Sequence, residues 1–236
     1  MKELISISGL NKKYGKQQVL DDLSLHISAG KLIGLLGPNG CGKTTLIKIM
    51  AGLLPDYEGQ VLLDGHPVGI YTRQHVAYLP EKSYLEDWMS VGYAIDMTAD
   101  FYADFDKAKA KELLTRFSLS SQCRFKTMSK GMQEKLQLIL VICRRAKLYL
   151  LDEPLSGVDV TARDAILDLI LKYYAEDSGL LISTHLISDV ERLFDEVVFL
   201  GRGKVLVHDS ADGIRETRGK SVEEYFREVF SCSQNY

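Results

Sequence analysis

The chain has 236 residues, of which 46% are hydrophobic, and a formal net charge of −3. This length and hydrophobic content fit a globular chain with one well-buried core and argue against disorder. The net acidity excludes a global basic field that would hold nucleic acid, so no nucleic-acid partner is expected. The longest apolar runs fall short of the ~20 residues of a membrane span, and the first ten residues do not resemble a signal peptide. We therefore expect a cytosolic protein.

The first 80 residues or so are rich in short β-branched runs separated by turn residues. Strands are predicted at LISIS, QQVLDDLSLHI, KLIGLL and QVLLDG, with turns at AGK, DYEG and DGHP. Asp64–Gly65 follows an apolar run and is typical of a hairpin turn. This region is predicted to form strands, with one helix after a glycine-rich loop.

The glycine-rich loop is GPNGCGKTT, which lies between the strand-like KLIGLL and the helix-like LIKIMAGLL. Gly37, Gly42, Lys43 and Thr44 satisfy G-x-x-x-x-G-K-[ST], whose glycines let backbone N–H groups wrap a phosphate chain. The lysine reaches the β- and γ-phosphates, the helix N-terminus adds its dipole, and the threonine hydroxyl can bind Mg²⁺. An ordinary glycine turn is the alternative, but the spacing and the strand–loop–helix context favour phosphate binding. The candidate residues are Gly37, Pro38, Asn39, Gly40, Cys41, Gly42, Lys43, Thr44 and Thr45.

The four cysteines, at positions 41, 123, 143 and 232, never approach CxxC spacing. They suggest neither a zinc site nor a disulfide framework, and we expect reduced thiols. Cys41 lies inside the glycine-rich loop, with its side chain expected to point away from the phosphates. The positive field of the loop and the nearby Lys43 are expected to favour its thiolate.

The remainder of the chain divides into a helical block and a second strand-containing region. Helices are predicted at VGYAIDMTADFY, at DKAKAKELLTRFSL and from near Ser129, within an insertion at about 82–145. Strands at LYLLD, GLLIST, EVVFLG and KVLVH then alternate with helices, and a short C-terminal helix is expected at about 219–236. With no long linker, residues 1–236 are predicted to be a single domain.

The string LYLLDEP predicts the catalytic carboxylates. Its apolar residues are typical of a strand buried on both faces, and Asp152 then emerges at the carboxyl end, where a parallel sheet binds its ligands. Asp152 is expected to hold Mg²⁺ through water. Glu153, one residue further, is positioned to orient or deprotonate an attacking water, so the pair favours hydrolysis over binding alone.

Five ordered motifs together resemble the nucleotide-binding domains of ABC (ATP-binding cassette) transporters over nearly the whole chain. Besides GPNGCGKTT and LLDEP, they are MSKGMQ, similar to the signature motif, LSGVD, similar to the D-loop, and STH, similar to the switch histidine. The resemblance implies an α/β fold: a P-loop NTPase core with a parallel sheet, an N-terminal antiparallel β subdomain and an inserted α-helical subdomain. It also implies ATP and Mg²⁺ as cofactors.

The signature-like segment implies a second subunit. Ser129 is a good N-cap, so Ser129 to Gly131 present free N–H groups at a positive helix end. In the family this segment closes on the γ-phosphate held by a second subunit, as a homodimer or a heterodimer. Lys130 and Met132 depart from the commoner Gly and Gln, although backbone donors survive both changes. A capped surface helix is the alternative.

Three more site residues are carried over from the resemblance. Tyr14 matches the aromatic residue that stacks on adenine, although an ordinary surface or core tyrosine is a rival interpretation. His185 follows an apolar strand and is expected at the same sheet edge as Glu153, near the γ-phosphate. Glu81 stands at the position of the Q-loop glutamine, where it could ligate Mg²⁺ or position water.

The expected function is the ATP-hydrolysing subunit of an exporter that acts through a separate membrane permease at the inner face of the membrane. YLPE and SKGMQ resemble bacterial exporters of drugs, peptides and ions, an associational argument for export. An exposed subset of aromatic and apolar residues in the helical block could receive the permease, although we expect most to be core: Tyr84, Leu85, Trp88, Met89 and Tyr93. The alternatives are a soluble ABC-type ATPase, for example in cluster assembly, and a regulatory module without turnover, which Glu153 opposes.

Overall fold

The computed structural model describes residues 3–174 and 177–232, without the side chains of residues 160–162 and 232. Two sheets and the helices packed on them make up these ranges. None of the helices in them is long and apolar enough to cross a membrane.

The first sheet is antiparallel and has the order β2-β1-β4-β5. Its strands are β1 (Glu3–Tyr14), β2 (Gln17–Ser28), β4 (Glu58–Leu63) and β5 (His66–Pro67). Along β2, Leu23, Leu25 and Ile27 are buried and the residues between them are exposed, as in a sheet with one face on the core. Asp64 and Gly65 both have positive φ, 51° and 78°, and join β4 to β5. The hairpin predicted there is confirmed.

The second sheet has the order β10-β9-β3-β8-β7-β6, parallel except for β10. Its strands are β3 (Leu32–Leu36), β6 (Val76–Leu79), β7 (Leu148–Asp152), β8 (Gly179–Thr184), β9 (Glu196–Gly201) and β10 (Lys204–Ser210). Every residue of β3, β7 and β8 is buried, because both faces of this sheet are covered. The strands predicted from continuous apolar runs are confirmed.

The helices cover this second sheet. They are α1 (Lys43–Met50), α2 (Ile70–His75), α3 (Val91–Phe101), α4 (Lys107–Arg116), α5 (Lys130–Ile142), α6 (Val160–Tyr173), α7 (Ile187–Val190), α8 (Ala211–Arg218) and α9 (Val222–Cys232). The N-caps of α3, α4 and α5 are Ser90, Asp106 and Ser129, whose side chains each accept a hydrogen bond from the backbone N–H three residues on. The predicted helix start near Ser129 is confirmed. The C-terminal helix expected at about 219–236 is α9, and residues 233–236 lie outside the described residues.

Two apolar cores lie on opposite faces of the second sheet. One, between this sheet and the antiparallel sheet, includes α1 residues such as Leu46 and Ile47. The other includes α3 to α6 and residues of the C-terminal helices. The strand order sets β8 between β3 and β7, so the carboxyl ends of these three strands are neighbours. The segments that follow Leu36, Asp152 and Thr184 are therefore brought to one edge.

The expectation that most of the five named residues of the helical block are core is wrong. Tyr84, Trp88 and Tyr93 are exposed to 48%, 59% and 46%, whereas Leu85 is buried and Met89 is partly buried. Trp88 and Tyr93 cover one another, with ring centroids 5.1 Å apart. The helix α3 buries Val91, Ala94 and Ile95 instead, so its Tyr93 faces outward.

Candidate active site

A cavity of about 450 Å³ lies at the edge where β3, β7 and β8 end. It is lined by residues from four separate segments of the chain: Val19, Asn39, Gly40, Gly42, Lys43, Thr44, Thr45, Glu81, Glu153, Ser156 and His185. Its size is within the range of small-molecule sites. The fold therefore joins most of the loop residues predicted to bind phosphate with the three predicted catalytic residues, Glu153, His185 and Lys43, the last of which belongs to the loop itself.

The glycine-rich loop wraps this cavity with its backbone. Gly40 and Gly42 have φ of 80° and 110°, a left-handed region that favours glycine. A Cβ at Gly37 would collide with the carbonyl group of Leu200, so this close approach also requires glycine. The Lys43 side chain is buried, and its Nζ donates to the carbonyl oxygen of Gly37 at 2.7 Å. The glycine-rich turn thus leads directly into α1, whose first N–H groups form a site that suits a phosphate.

Asp152 lies at the end of β7 and is 1% exposed. Its Oδ1 accepts a hydrogen bond from Ser183 Oγ at 2.6 Å, whereas its Oδ2 is buried with no hydrogen-bond partner among the described residues. An ionised carboxylate requires partners for both oxygens in a buried position. A hydrated Mg²⁺ would satisfy the second oxygen, so Asp152 fits its predicted metal role.

The three residues predicted to ligate the metal, Thr44, Asp152 and Glu81, do not all line the same cavity. Thr44 and Glu81 line the main cavity, whereas Asp152 lies behind it and lines a smaller adjoining cavity together with Glu81 and Glu153. No cluster of three or more His, Cys, Asp or Glu side chains in the described part of the chain could hold a metal ion. This donor set suits Mg²⁺, which keeps several waters and takes phosphate oxygens as ligands.

Glu153 has an unusual backbone conformation, with φ of 53°. Its N–H lies 3.1 Å from both the carbonyl oxygen and the hydroxyl of Ser183, which holds the backbone in place. The side chain is 11% exposed, and its Oε2 lies 2.8 Å from Nδ1 of His185 and accepts from the His185 backbone N–H at 3.3 Å. The structure thus places Glu153 and His185 in direct contact beside the phosphate-binding loop.

Tyr14, Ser129 and Gly131 are not among the residues that line the cavity. Tyr14 ends β1 with 49% of its surface exposed and with Lys12 Nζ 5.1 Å from its ring centre. Ser129 is exposed at the start of α5, and the space where a Cβ of Gly131 would lie is open to 4 Å. The N-terminal end of α5 therefore faces away from this cavity, on the surface of the chain.

The expectation that the Cys41 thiolate is favoured is wrong. Cys41 is 6% exposed and belongs to the core between the two sheets, and it is not among the residues that line the cavity. Burial raises the pKa of the Cys41 thiol, and this effect outweighs the opposite effect of the Lys43 charge. The side chain packs inward, as expected, but for that reason the thiol is the stable form. Of the other cysteines, Cys143 is buried, Cys123 is partly buried, and the Cys232 side chain lies outside the described residues.

Ser183 is a site residue that sequence reasoning missed. It contacts both carboxylate residues of the edge, Asp152 through its hydroxyl and Glu153 through its backbone and hydroxyl. The signal was present in the strands, because an in-register alignment of LYLLD with GLLIST pairs Asp152 with Ser183. A polar residue in an otherwise apolar buried strand needs a partner, and the adjacent strand supplies it.

Comparisons with known proteins identify the family of the chain. The family model described as ABC transporter matches residues 20–156. The chain is 33% identical over 203 residues to the ABC transporter ATP-binding protein YtrB of Bacillus subtilis, covering 84% of this chain and 68% of YtrB. It is 28% identical over 225 residues to the lantibiotic transport ATP-binding protein SrtF of Streptococcus pyogenes, covering 94% and 96%. It is 28% identical over 234 residues to the daunorubicin resistance ATP-binding protein DrrA3 of Streptomyces coeruleorubidus, covering 95% and 74%.

Solved structures show the same fold. A structure of an ATP-binding subunit of an ABC transporter superposes with a TM-score of 0.86 and 29% identity, covering 96% of this chain and 99% of that one. A bacterial Atm1-family ABC exporter with ATP bound, at 18% identity, has a TM-score of 0.81 over 96% of this chain and 42% of its own. Together with the family match and the site geometry, these comparisons show that the chain belongs to the ABC transporter family, as an ATP-binding subunit that hydrolyses ATP.

Proposed function

We propose that this subunit drives export through a separate membrane permease, at the inner face of the membrane, by ATP-dependent pairing of two nucleotide-binding subunits. The observation that carries the proposal is the contact between Glu153 and His185 beside the phosphate-binding loop, because it equips the chain for turnover. The names of DrrA3 and SrtF, which refer to drug resistance and lantibiotic transport, support export.

The loop binds the phosphates through backbone N–H groups and Lys43. The ammonium group of Lys43 is held by backbone carbonyl groups of Gly37 and Pro38, at 2.7 and 3.4 Å, so it stays inside the loop at the cavity. From there it can neutralise a β- or γ-phosphate. Thr44, Asp152 and Glu81 would hold Mg²⁺, which supplies charge neutralisation to the transferring phosphoryl group when it is bound.

Glu153 orients and deprotonates the attacking water in this proposal. Its carboxylate is 11% exposed and is fixed by two contacts with His185, one from the backbone N–H and one with the ring nitrogen Nδ1. A carboxylate held in one rotamer beside the γ-phosphate position spends less entropy in reaching the water. His185 thus holds Glu153 and stands close enough to the cavity to contact the γ-phosphate itself.

The second subunit is proposed to contribute through the start of α5. Ser129 caps the helix by accepting from the N–H of Met132 at 3.3 Å, and the exposed N–H groups beyond it form a positive helix end. Two chains in opposite orientation would set this end of each against the nucleotide of the other. The pair is homomeric or heteromeric according to whether one or two such chains serve the permease.

The permease is proposed to dock in a groove of about 710 Å³ between α1, α2 and the helical block. Phe101, which is 77% exposed, Tyr84 and Leu53 line it, together with the basic residues Lys48 and Arg73. An apolar floor with a basic rim suits a short permease helix that carries apolar and acidic residues.

Co-purification from membranes tests this function. We expect the tagged chain to retain a multi-span protein in detergent, and Phe101→Asp to lose it without loss of basal ATPase activity. Mg²⁺-dependent ATPase activity that Lys43→Ala lowers is expected from the same preparation. An active ATPase recovered without any multi-span protein would instead favour the alternative of a soluble ABC-type ATPase, for example in cluster assembly.

A further inference from the structure

Adjoining the main cavity is a second cavity of about 30 Å³, between the end of β7 and the helix α5. Asp152 and Glu153 line it from the sheet, and Glu134 and Gln137 line it from the helix. A cavity of this size has room for at least one water molecule. Glu134 and Gln137 are three residues apart in α5 and so share one face of the helix.

Three buried oxygen atoms around this cavity have no hydrogen-bond partner among the described residues. They are Oδ2 of Asp152, Oε1 of Gln137 and Oε2 of Glu134. Asp152 and Gln137 are 1% and 7% exposed, so bulk water does not reach these groups. All three atoms are acceptors if both carboxyl groups are ionised, and leaving a buried polar atom unsatisfied costs about 1–3 kcal/mol. The cavity therefore requires a hydrogen-bond donor.

We propose that one internal water molecule joins Gln137 and Glu134 to Asp152, and that these two residues of α5 are positioning residues for the Mg²⁺ site. The inference rests on the proposed role of Asp152 at that site. A water molecule has two hydrogen atoms to donate, so it satisfies two of the three oxygens at a time. When Asp152 Oδ2 is engaged at the Mg²⁺ site, both hydrogen atoms go to Gln137 and Glu134.

This exchange makes occupancy of the metal site dependent on α5. Without the Gln137 oxygen, one hydrogen atom of the water would have no acceptor whenever Asp152 binds the metal. Metal binding would therefore be weakened. Metal-free protein would lose nothing comparable, because Asp152 and Glu134 would still accept from the water. Ser129 caps the same helix, so a displacement of the exposed N-terminal end of α5 would change the hydrogen bonds available to Asp152 of the same chain.

Mn²⁺ binding followed by electron paramagnetic resonance, with ADP present, tests the proposal without turnover. Because loss of an outer-shell partner costs about 10-fold in metal affinity, Gln137→Leu should raise the Mn²⁺ dissociation constant by about that factor. ATP affinity in EDTA should change less than about twofold, because the phosphate-binding loop is intact. Glu134→Leu should act in the same direction, and Glu134→Gln, which keeps an acceptor oxygen, should restore most of the affinity.

A double-mutant comparison shows whether Gln137 acts through Asp152. In an Asp152→Asn background, Gln137→Leu should cause no further loss of Mn²⁺ affinity, because the group it positions has been altered. Lys135→Met is the matched control, since Lys135 lies on the same helix but points to the Phe117 ring, 5.4 Å from its centre. It should bind Mn²⁺ as the wild type does.

The outcomes separate this inference from the proposed function. Wild-type protein that binds no Mn²⁺ with ADP and hydrolyses ATP equally with and without a divalent cation would remove the Mg²⁺ site, and with it the metal-dependent turnover of the proposed function. Wild-type metal binding that is unchanged in Gln137→Leu and Glu134→Leu, or additive losses in the double mutant, would overturn the positioning role alone. Thermal unfolding of metal-free Gln137→Leu should occur near the wild-type temperature, because the amide loses only a weak hydrogen bond, from Nε2 to the Gln133 carbonyl oxygen at 3.4 Å, and an apolar group takes its buried place. A variant that unfolds earlier and binds ATP less well in EDTA would show a merely structural role.

Discussion

The sheet edge that carries Asp152 and Glu153 differs from the start of α5 in how each is held by the chain itself. At the sheet edge, Lys43 and Asp152 are buried, and Ser183 and His185 fix the two carboxylates by hydrogen bonds. At the start of α5, Ser129 and Lys130 are exposed, and the hydrogen bond that Met132 N–H donates to Ser129 Oγ holds the turn. Pre-organised groups bring little reorganisation cost to catalysis. The first region is thus held by the chain's own contacts, and the second is the surface that the proposed partner subunit would cover.

Removing the acid of the first region should have the largest effect. Glu153→Gln keeps the side-chain volume and the backbone contacts with Ser183, but it removes the carboxylate that is proposed to activate water. We expect retained ATP binding and a turnover lowered by at least ~10²-fold, the usual size of a lost general base. Steady-state ATPase assays and equilibrium nucleotide binding measure the two quantities. Wild-type turnover in this variant would remove Glu153 from the mechanism.

Blocking the second region should remove assembly and leave nucleotide binding intact. In the Glu153→Gln background, ATP should give a stable dimer, and Ser129→Arg should abolish it by placing bulk and charge at the start of α5. Light scattering at high protein concentration, with and without ATP, measures the mass. ATP binding by the Ser129→Arg protein is the internal control. A Glu153→Gln protein that stays monomeric with ATP would count against a homodimer and leave a heterodimer open.

The contact between His185 and Glu153 is expected to contribute less than the carboxylate itself. His185→Ala should lower turnover by about 10-fold with a smaller change in KM, because it frees the carboxylate without removing it. His208→Ala is the matched control, since His208 pairs with Glu196 at 3.1 Å on strands β9 and β10 and does not line the cavity. Equal losses in the two variants would indicate a general stability effect rather than a role of His185 at the site.

The smallest expected effect is a several-fold difference between the labelling rates of two cysteines, Cys41 in the phosphate-binding loop and Cys123 in the helical block. Because burial raises the pKa of Cys41, its reactive thiolate is scarcer near neutral pH than that of an exposed thiol, and its labelling should accelerate as pH rises toward that raised pKa. Peptide-resolved maleimide labelling should modify the partly buried Cys123 several-fold faster than Cys41. Cys41→Ser should stay active. Faster labelling of Cys41 than of Cys123 at neutral pH would show that the loop field outweighs burial after all.

The sequence was sufficient for strands and for residues at strand ends, and insufficient where a short element or a balance of opposing effects decides. The runs LYLLD and GLLIST are continuous and apolar, so β7 and β8 were predicted together with Asp152 at the edge. Helix α2 was missed because it has six residues and buries only Thr72, so it carries almost no periodic signal. The Cys41 pKa depends on burial against the charge of Lys43, which sequence position alone does not weigh. Tyr14 stays a prediction as the adenine-stacking residue.

The left-handed backbone of Glu153 also affects which substitutions would accumulate if there were no selection for ATP turnover. A non-glycine residue held in that region costs about 1–3 kcal/mol, which the hydrogen bonds to Ser183 must offset. Glycine or asparagine at this position would relieve much of the strain, so the first substitutions to drift in would tend to stabilise the fold while silencing it. A lineage that had become a nucleotide-gated scaffold would then melt at a higher temperature than its working ancestor. A raised unfolding temperature would then accompany the loss of ATP turnover.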